Sequence, residues 1–323
     1  MRHIILDTDM GIDDALALFL VLSSPEIKLE AITTVSGNVP VEVGTRNALT
    51  LLELAKRTDI PVARGCDRPL MRQPIDATHI HGDNGLGNAV LDDPHITPVT
   101  QHAVEFLIEK IIAERNKITL VCIGPLTNVA LALRREPCIA DYIDEVVIMG
   151  GALRVPGNVT PAAEYNIYAD PHAAHIVLHA GWPIRLISLD VTNVTVVTPE
   201  RIAKLQDNQV IKLIKHMIDY YFRLSAALDN ANGFPMHDPL CVGAVLQPEL
   251  ITWEPAYVDV ELASSLTLGA TIAQFKTRRM LDALHPNVLQ ASVAANSQRF
   301  TQLYLDRVGQ NKFQGVLPQT EEE

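Results

Sequence analysis

The chain has 323 residues, of which 48% are apolar and 20% charged, enough length and apolar content to bury a sizeable core as one α/β unit. Its 26 basic residues against 38 acidic ones leave a net charge of −12, a field that repels a phosphate backbone, and no basic run offsets it; binding to a nucleic-acid polymer is therefore not expected. Charges interrupt every apolar stretch before membrane-spanning length, the opening Met-Arg-His-Ile-Ile-Leu looks like neither a signal nor a transit peptide, and Cys66, Cys122, Cys138 and Cys241 show no metal-ligand spacing, so a cytoplasmic protein with reduced thiols is expected.

Along the first 190 residues short apolar runs alternate with helical patterns. Strands are expected at 3–6, 29–35, 61–64, 118–123, 145–149 and 184–189, and helices at 14–22, 43–56, 105–112, 126–134 and 171–179. The strand runs are continuously apolar rather than alternating, which fits strands covered by helices on both faces. Repeated strand–helix–strand order predicts right-handed crossovers and an open, Rossmann-like α/β core with a mostly parallel sheet. After residue 190 the pattern changes to helices at 202–224, 237–246 and 297–307, with a β-hairpin of strands 257–262 and 266–275 turning at Ala263-Ser264-Ser265. No repeat or low-complexity linker breaks the chain, so 1–323 is expected to be one domain. The polar segments 72–100 and 151–169 are long for structureless loops, and such loops usually carry function.

In open α/β sheets ligands bind beyond the carboxyl ends of the strands. The first strand delivers Asp7 and Asp9; Gly11 turns the chain, and Asp13 and Asp14 open the next helix. Four carboxylates within eight residues repel one another unless a cation sits among them, and a hard ion with oxygen ligands, such as calcium, answers that. The plainer reading is that Asp13 or Asp14 caps the helix. Later strand ends supply Asn38, Asn128, a loop with Asn158, Glu164 and Asn166, and Asp190. A single Asn is as often a turn residue as a ligand, but its recurrence at successive strand ends suits a polyhydroxyl substrate. His79 and His81 form an HxH pair, with no further Cys or His at a zinc spacing, and a loop His is commonly just exposed. His237 beside Asp238 at a helix start can send one side chain to a metal and the other to a leaving group.

The run Ile4-Ile5-Leu6-Asp7-Thr8-Asp9-Met10-Gly11-Ile12-Asp13-Asp14-Ala15 closely resembles the N-terminal signature of the inosine-uridine nucleoside hydrolase family. Further segments match in the same order: Val35–Asn38, His81–Gly85, Gly124–Asn128, Met149–Gly151, Ala163–Pro171 and His237-Asp238. The likeness covers residues 1 to about 245 in one register, and Thr8 and Met10, where the family commonly has Cys and Pro, occupy spacer positions.

The resemblance implies hydrolysis of the N-glycosidic bond of ribonucleosides, pyrimidine-preferring or non-specific, by a calcium-bound water that Asp9 activates as general base. It makes Asp9, Asp14 and Asp238 the calcium carboxylates and the Ile123 carbonyl a neutral ligand, with Asp7 supporting them from behind. It assigns Asp13, Asn38 and Asn166 to the ribose 2′ and 3′ hydroxyls and Asn158 and Glu164 to the 5′ hydroxyl. It makes His237 the acid for the leaving base, with His81 as helper, and it implies a homo-tetramer or dimer. Ser225 and Asp229 stand where pyrimidine-preferring members carry a Gln and a Tyr; Tyr220, Tyr221 or Phe222 could supply the aromatic contact instead, although aromatics on a helix usually pack in a core. Two rival readings are weighed beside it. A haloacid dehalogenase-like phosphatase would use Asp7 as phosphoryl acceptor, but gives no role to Asp13-Asp14 or to the Glu164/Asn166 loop. A non-catalytic ribose- or calcium-binding protein would share the clamp without needing Asp9 as base or His237 as acid.

Overall fold

Strand β1 (Arg2–Thr8) feeds through a tight turn into helix α1 (Ile12–Leu22), the first of the repeated strand–helix units. The structure is a computed structural model and describes residues 1–115, 117–226, 233–285 and 287–310. In chain order the next elements are β2 (Ile27–Thr34), α2 (Val41–Leu54), β3 (Val62–Arg64), the one-turn α3 (Thr78–His81), α4 (Ala103–Ala113), β4 (Ile118–Cys122), α5 (Thr127–Arg135) and β5 (Glu145–Met149). The short α6 (Tyr165–Ala169) leads into α7 (Pro171–Leu178), β6 (Ile184–Ile187) and α8 (Leu189–Thr192). Then come β7 (Val196–Val197), α9 (Pro199–Ala203), α10 (Gln209–Ala226), β8 (Phe234–Pro235) and α11 (His237–Leu246). The chain closes with β9 (Ile251–Val260), β10 (Thr271–Phe275), α12 (Arg278–Asp282), β11 (Leu289–Ala295) and α13 (Ser297–Gln310).

Nine strands form one sheet in the order β10-β9-β11-β6-β5-β4-β1-β2-β3. From β6 to β3 every pairing is parallel, as the continuously apolar runs predict. Alternate residues of β1 enter opposite cores: Ile4 and Leu6 join the side that includes α1 and α11, and Ile5 joins the side that includes α4, α5 and α7. Each such fully buried side chain is worth about 1.5–3 kcal/mol relative to exposure. Winding reverses at β1, whose neighbours are β2 on one side and β4 on the other. The crevice for a ligand is expected at that reversal, beyond the carboxyl ends of β1 and β4.

Four sequence expectations need correction. The hairpin is longer than a three-residue turn allows, because β9 begins at Ile251 and pairs Val260 with Thr271, so residues 261–270 form the connection. Strand β11, unforeseen, runs antiparallel to β9 and parallel to β6, joining the hairpin to the main sheet. Its Leu-Gln-Ala-Ser-Val-Ala-Ala has too little apolar bulk to stand out as a strand. The helix expected at 202–224 is two, since Asn208 turns the chain and its side chain accepts the Ile211 N–H (2.8 Å) to start α10. The strand expected to reach Leu189 stops at Ile187, where Ser188 leads into α8. Asp229 and the side chain of Ser225 lie outside the described residues.

Candidate active site

The turn after β1 is built for close approach. Met10 sits at φ 40°, a left-handed conformation uncommon for a side chain with a Cβ. The Thr8 hydroxyl accepts the Met10 N–H (3.1 Å) and donates to Asp14 Oδ1 (2.5 Å), so this spacer position ties the turn to the helix. Asp14 Oδ2 accepts the Gly11 N–H (2.8 Å), satisfying a donor that the start of α1 leaves open. Asp14 thus does cap the helix, and its carboxylate also faces the acidic cluster. A Cβ on Gly11 would lie 2.6 Å from both Asn38 Nδ2 and His81 Nδ1, so only glycine fits there.

Asn38, at the carboxyl end of β2, holds this arrangement. Its backbone N–H donates to Asp9 Oδ2 (2.6 Å), and its amide donates to Asp9 Oδ1 (3.1 Å) and Asp14 Oδ2 (3.0 Å). Gly37 lies so close to Asp9 that a Cβ would overlap its carboxylate. From the far end of the chain α11 brings Asp238, whose carboxylate lies with those of Asp13 and Asp14 within 4.8 Å, a grouping able to hold a metal ion. Asp9, Asp14 and Asp238 are buried, whereas Asp13 keeps 13% of its side chain exposed and so borders the open side.

Electrostatics point the same way. Burial pushes Asp9 and Asp238 well above the usual carboxylate range; the Asp14 charge adds most for Asp9 and the Asp13 charge for Asp238. Burial also raises Asp13 to about 6, and it raises Asp14, where the Thr8 and Gly11 hydrogen bonds partly oppose it. Asp13 Oδ1 is buried without a hydrogen-bond partner. Clustered carboxylates whose charge the protein does not neutralise, with a bare oxygen among them, fit a hard cation bound through oxygen.

A family assignment can be read against this geometry. The sequence profile of the inosine-uridine preferring nucleoside hydrolase family matches residues 4–302. The chain belongs to this family. The inosine-uridine preferring nucleoside hydrolase of Crithidia fasciculata is 39% identical over 309 residues, covering 94% of this chain and 96% of that one. The pyrimidine-specific ribonucleoside hydrolase RihA of Salmonella paratyphi B is 39% identical over 310 residues, covering 94% and 97%. Among solved structures, the purine-preferring ribonucleoside hydrolase of Gardnerella vaginalis superposes with a TM-score of 0.88 at 33% identity, over 95% of this chain and 98% of that one. The chain is therefore a nucleoside hydrolase, an N-glycosyl hydrolase by class, and the phosphatase reading is set aside.

The remaining expected positions of the hydrolase divide into those pointing at the cluster and those holding loops. The Asn166 amide donates to the carbonyls of Ile123 (3.1 Å) and Met149 (3.2 Å), so Ile123 and Asn166 are neighbours at the ends of β4 and β5. Both oxygens of Glu164 accept backbone N–H groups: Oε1 that of Asn166 (2.8 Å), Oε2 those of Gly151 (2.9 Å) and Ile167 (3.1 Å). Asn158 is exposed and caps the same loop, its Oδ1 accepting the Tyr165 N–H (2.9 Å). Asp190 likewise accepts the N–H groups of Leu153 and Arg154 (2.9 Å each), a loop clamp rather than a site group.

His81 lies on α3 rather than in a free loop, and its Nδ1 accepts the Ile12 N–H (3.0 Å) at the start of α1. His237 Nδ1 pairs with the Thr192 hydroxyl at 2.8 Å. Burial pushes both imidazoles down to about 4, with the other histidine's charge adding to the effect on His237. Asp7 lies behind the turn, on the opposite face of β1 from Thr8; its Oδ1 accepts from Thr33 (2.5 Å) and Asn128 (2.9 Å), Oδ2 has no partner, and burial raises it to about 7. Tyr220, Tyr221 and Phe222 all pack against the core, Tyr221 meeting Phe234 edge to face at 4.7 Å.

Sequence reasoning passed over three contributors. Thr8 was read as a spacer. Thr192 carries no motif, because its role comes from α8 abutting α11. Tyr165 is half-buried beside the cluster; burial raises its phenol, and the nearby Asp9 charge raises it further.

Proposed function

We propose that the chain cleaves the N-glycosidic bond of ribonucleosides to ribose and free base with calcium as its metal, and that it prefers pyrimidine nucleosides or accepts both classes. The observation that carries this reading is the meeting of the Asp13, Asp14 and Asp238 carboxylates, with the Asp9 charge near enough to act on Asp238. Its all-oxygen donor set favours calcium over the softer ions that imidazole and thiolate select. In our reading Asp9, Asp14, Asp238 and the Ile123 carbonyl hold calcium, which when bound would orient and acidify the attacking water.

Asp9 accepts that water's proton. Its raised proton affinity suits a general base, and its two hydrogen bonds from Asn38 fix the direction of its lone pairs. Asp13 accepts from a ribose hydroxyl through the free Oδ1, while Asn38 and Asn166 border the same sugar edge. Among the described residues Glu164 Oε1 accepts one hydrogen bond, leaving a lone pair for the 5′ hydroxyl, with Asn158 beside it. Gripping the hydroxyls this way strains the ring toward the oxocarbenium-like transition state of glycoside hydrolysis. Burial lowers the proton affinity of His237, so a proton the ring takes up from solvent passes readily to the base nitrogen as the C1′–N bond breaks. His81 helps by holding the start of α1, its Nδ1 accepting the Ile12 N–H.

Residues 1–323 act as one domain, a reading supported by the unbroken sheet from Arg2 to Ala295. A cytoplasmic homo-tetramer or dimer working in nucleoside salvage is the biological setting we infer; among the described residues no helix is long and apolar enough to cross a membrane. Base release from inosine, adenosine, uridine and cytidine tests the substrate reading: uridine should turn over at least as fast as adenosine. Turnover of purine nucleosides alone would overturn the preference.

A further inference from the structure

Away from the aspartate cluster, the last turn of α7 lies against the end of β9, one strand in from the sheet edge. His175 and His179, four residues apart, present their rings on one face of the helix with centroids 4.3 Å apart. Asp259 of β9 meets both, with Oδ1 2.8 Å from His175 Nδ1 and 3.8 Å from His179 Nε2.

The hydrogen bonds leave Nε2 of the neutral His179 ring as an acceptor that faces a carboxylate. Its Nδ1 lies 2.8 Å from the His175 carbonyl, which can only accept, so Nδ1 carries the proton. In the neutral ring Nε2 is then a bare acceptor. It faces the Asp259 carboxylate and the Tyr257 hydroxyl at 3.4 Å, and that hydroxyl already donates to Asp259 Oδ2 (3.0 Å). A ring N–H held by a backbone carbonyl, with the other nitrogen turned outward, is how metal-binding histidines are commonly oriented.

We propose that His175 Nδ1, His179 Nε2 and Asp259 Oδ1 form a second metal site, taking a divalent ion of the zinc class, with the proton that His175 Nδ1 donates to Asp259 moving to Nε2 of the same ring as the ion binds. Bonds of about 2.1 Å at tetrahedral angles separate donors by roughly 3.4 Å, and the observed separations of 2.8 and 3.8 Å bracket that value. Two imidazoles and one carboxylate select zinc-class ions over calcium, so the two sites differ in chemistry. Side-chain exposures of 40%, 22% and 37% leave the donors open to solvent, and a water completes the shell. The bound ion staples α7 to β9, which also share one hydrophobic core.

Untagged full-length enzyme saturated with calcium should be titrated with zinc chloride near pH 7.5 and monitored by calorimetry. One equivalent of zinc should bind, with a Tm rise of roughly 2 °C at ten times Kd. His179→Gln and Asp259→Asn should each weaken binding by more than about 100-fold, beyond the effect of losing an outer partner. Uridine turnover in calcium should be unchanged in both, which shows that they fold. No zinc uptake by the wild type, or equal uptake by wild type and both variants, would overturn the site; in the latter case zinc is at the aspartates.

Discussion

Asn38 holds both oxygens of Asp9, through its backbone N–H at 2.6 Å and its side-chain amide at 3.1 Å, and the same amide reaches Asp14 at 3.0 Å. One residue from the end of β2 therefore fixes two carboxylates from the β1 turn. Asn38→Ala keeps the backbone bond and loses the amide bridge. Steady-state kinetics should show kcat/KM for uridine falling on the order of 10²-fold, with calcium affinity reduced as well. Unchanged kinetics would mean that the amide only fills space.

Gly37 gives a purely steric test of the same placement. A Cβ there overlaps the Asp9 carboxylate, so Gly37→Ala must push Asp9 aside. Displacements near 1 Å can cost about 10²-fold in rate. Far-ultraviolet circular dichroism should stay native while turnover drops by that order.

The carboxylate cluster links stability to pH and metal. Burial raises Asp13 from 3.8 to about 6, and Asp9, Asp14 and Asp238 shift upward too. A carboxyl raised on folding favours the folded state fully below its unfolded value and loses that contribution as pH climbs through the folded value. Metal-free protein should therefore lose Tm between about pH 4 and 6 through Asp13, and further as its neighbours ionise. Calcium replaces the protons, so its Tm gain should be large at pH 7.5 and small at pH 5. Scanning calorimetry with and without calcium checks this; a pH-independent gain would contradict it.

The acid role of His237 should depend on the leaving group. His237→Ala should slow uridine by roughly 10²-fold or more, yet slow p-nitrophenyl riboside by less than about tenfold, since nitrophenolate departs without a proton. Equal losses on both substrates would remove the acid role from His237.

Much of this site was legible because it is local or repeats at strand ends. Asp9, Asp13 and Asp14 fall within one turn of chain, and the apolar runs of β1, β4 and β5 announce the strands that bring Ile123 and Asn166 alongside. Asp238 was legible beside His237 as a candidate metal group, but only the resemblance tied it to the β1 turn, since nothing local joins α11 to that turn. Thr8 and Thr192 were not legible as site groups: the Thr8 hydroxyl links Met10 and Asp14 only in the folded turn, and the Thr192 hydroxyl meets His237 only once α8 packs on α11. Strand β11 escaped for a related reason, because its place between β9 and β6 is set by long-range pairing and its small side chains leave no pattern. Glu164 carries more structural work than its sequence position suggests, holding three backbone N–H groups of two segments.

The central claim is that Asp9 is the base of a calcium-dependent nucleoside hydrolase. The most direct measurement is base release from uridine and inosine by wild type and Asp9→Ala in saturating calcium, with calcium binding measured on the same samples. The account predicts a loss on the order of 10²–10⁴-fold on both nucleosides together with weakened calcium binding. Turnover by Asp9→Ala within tenfold of the wild type would contradict it.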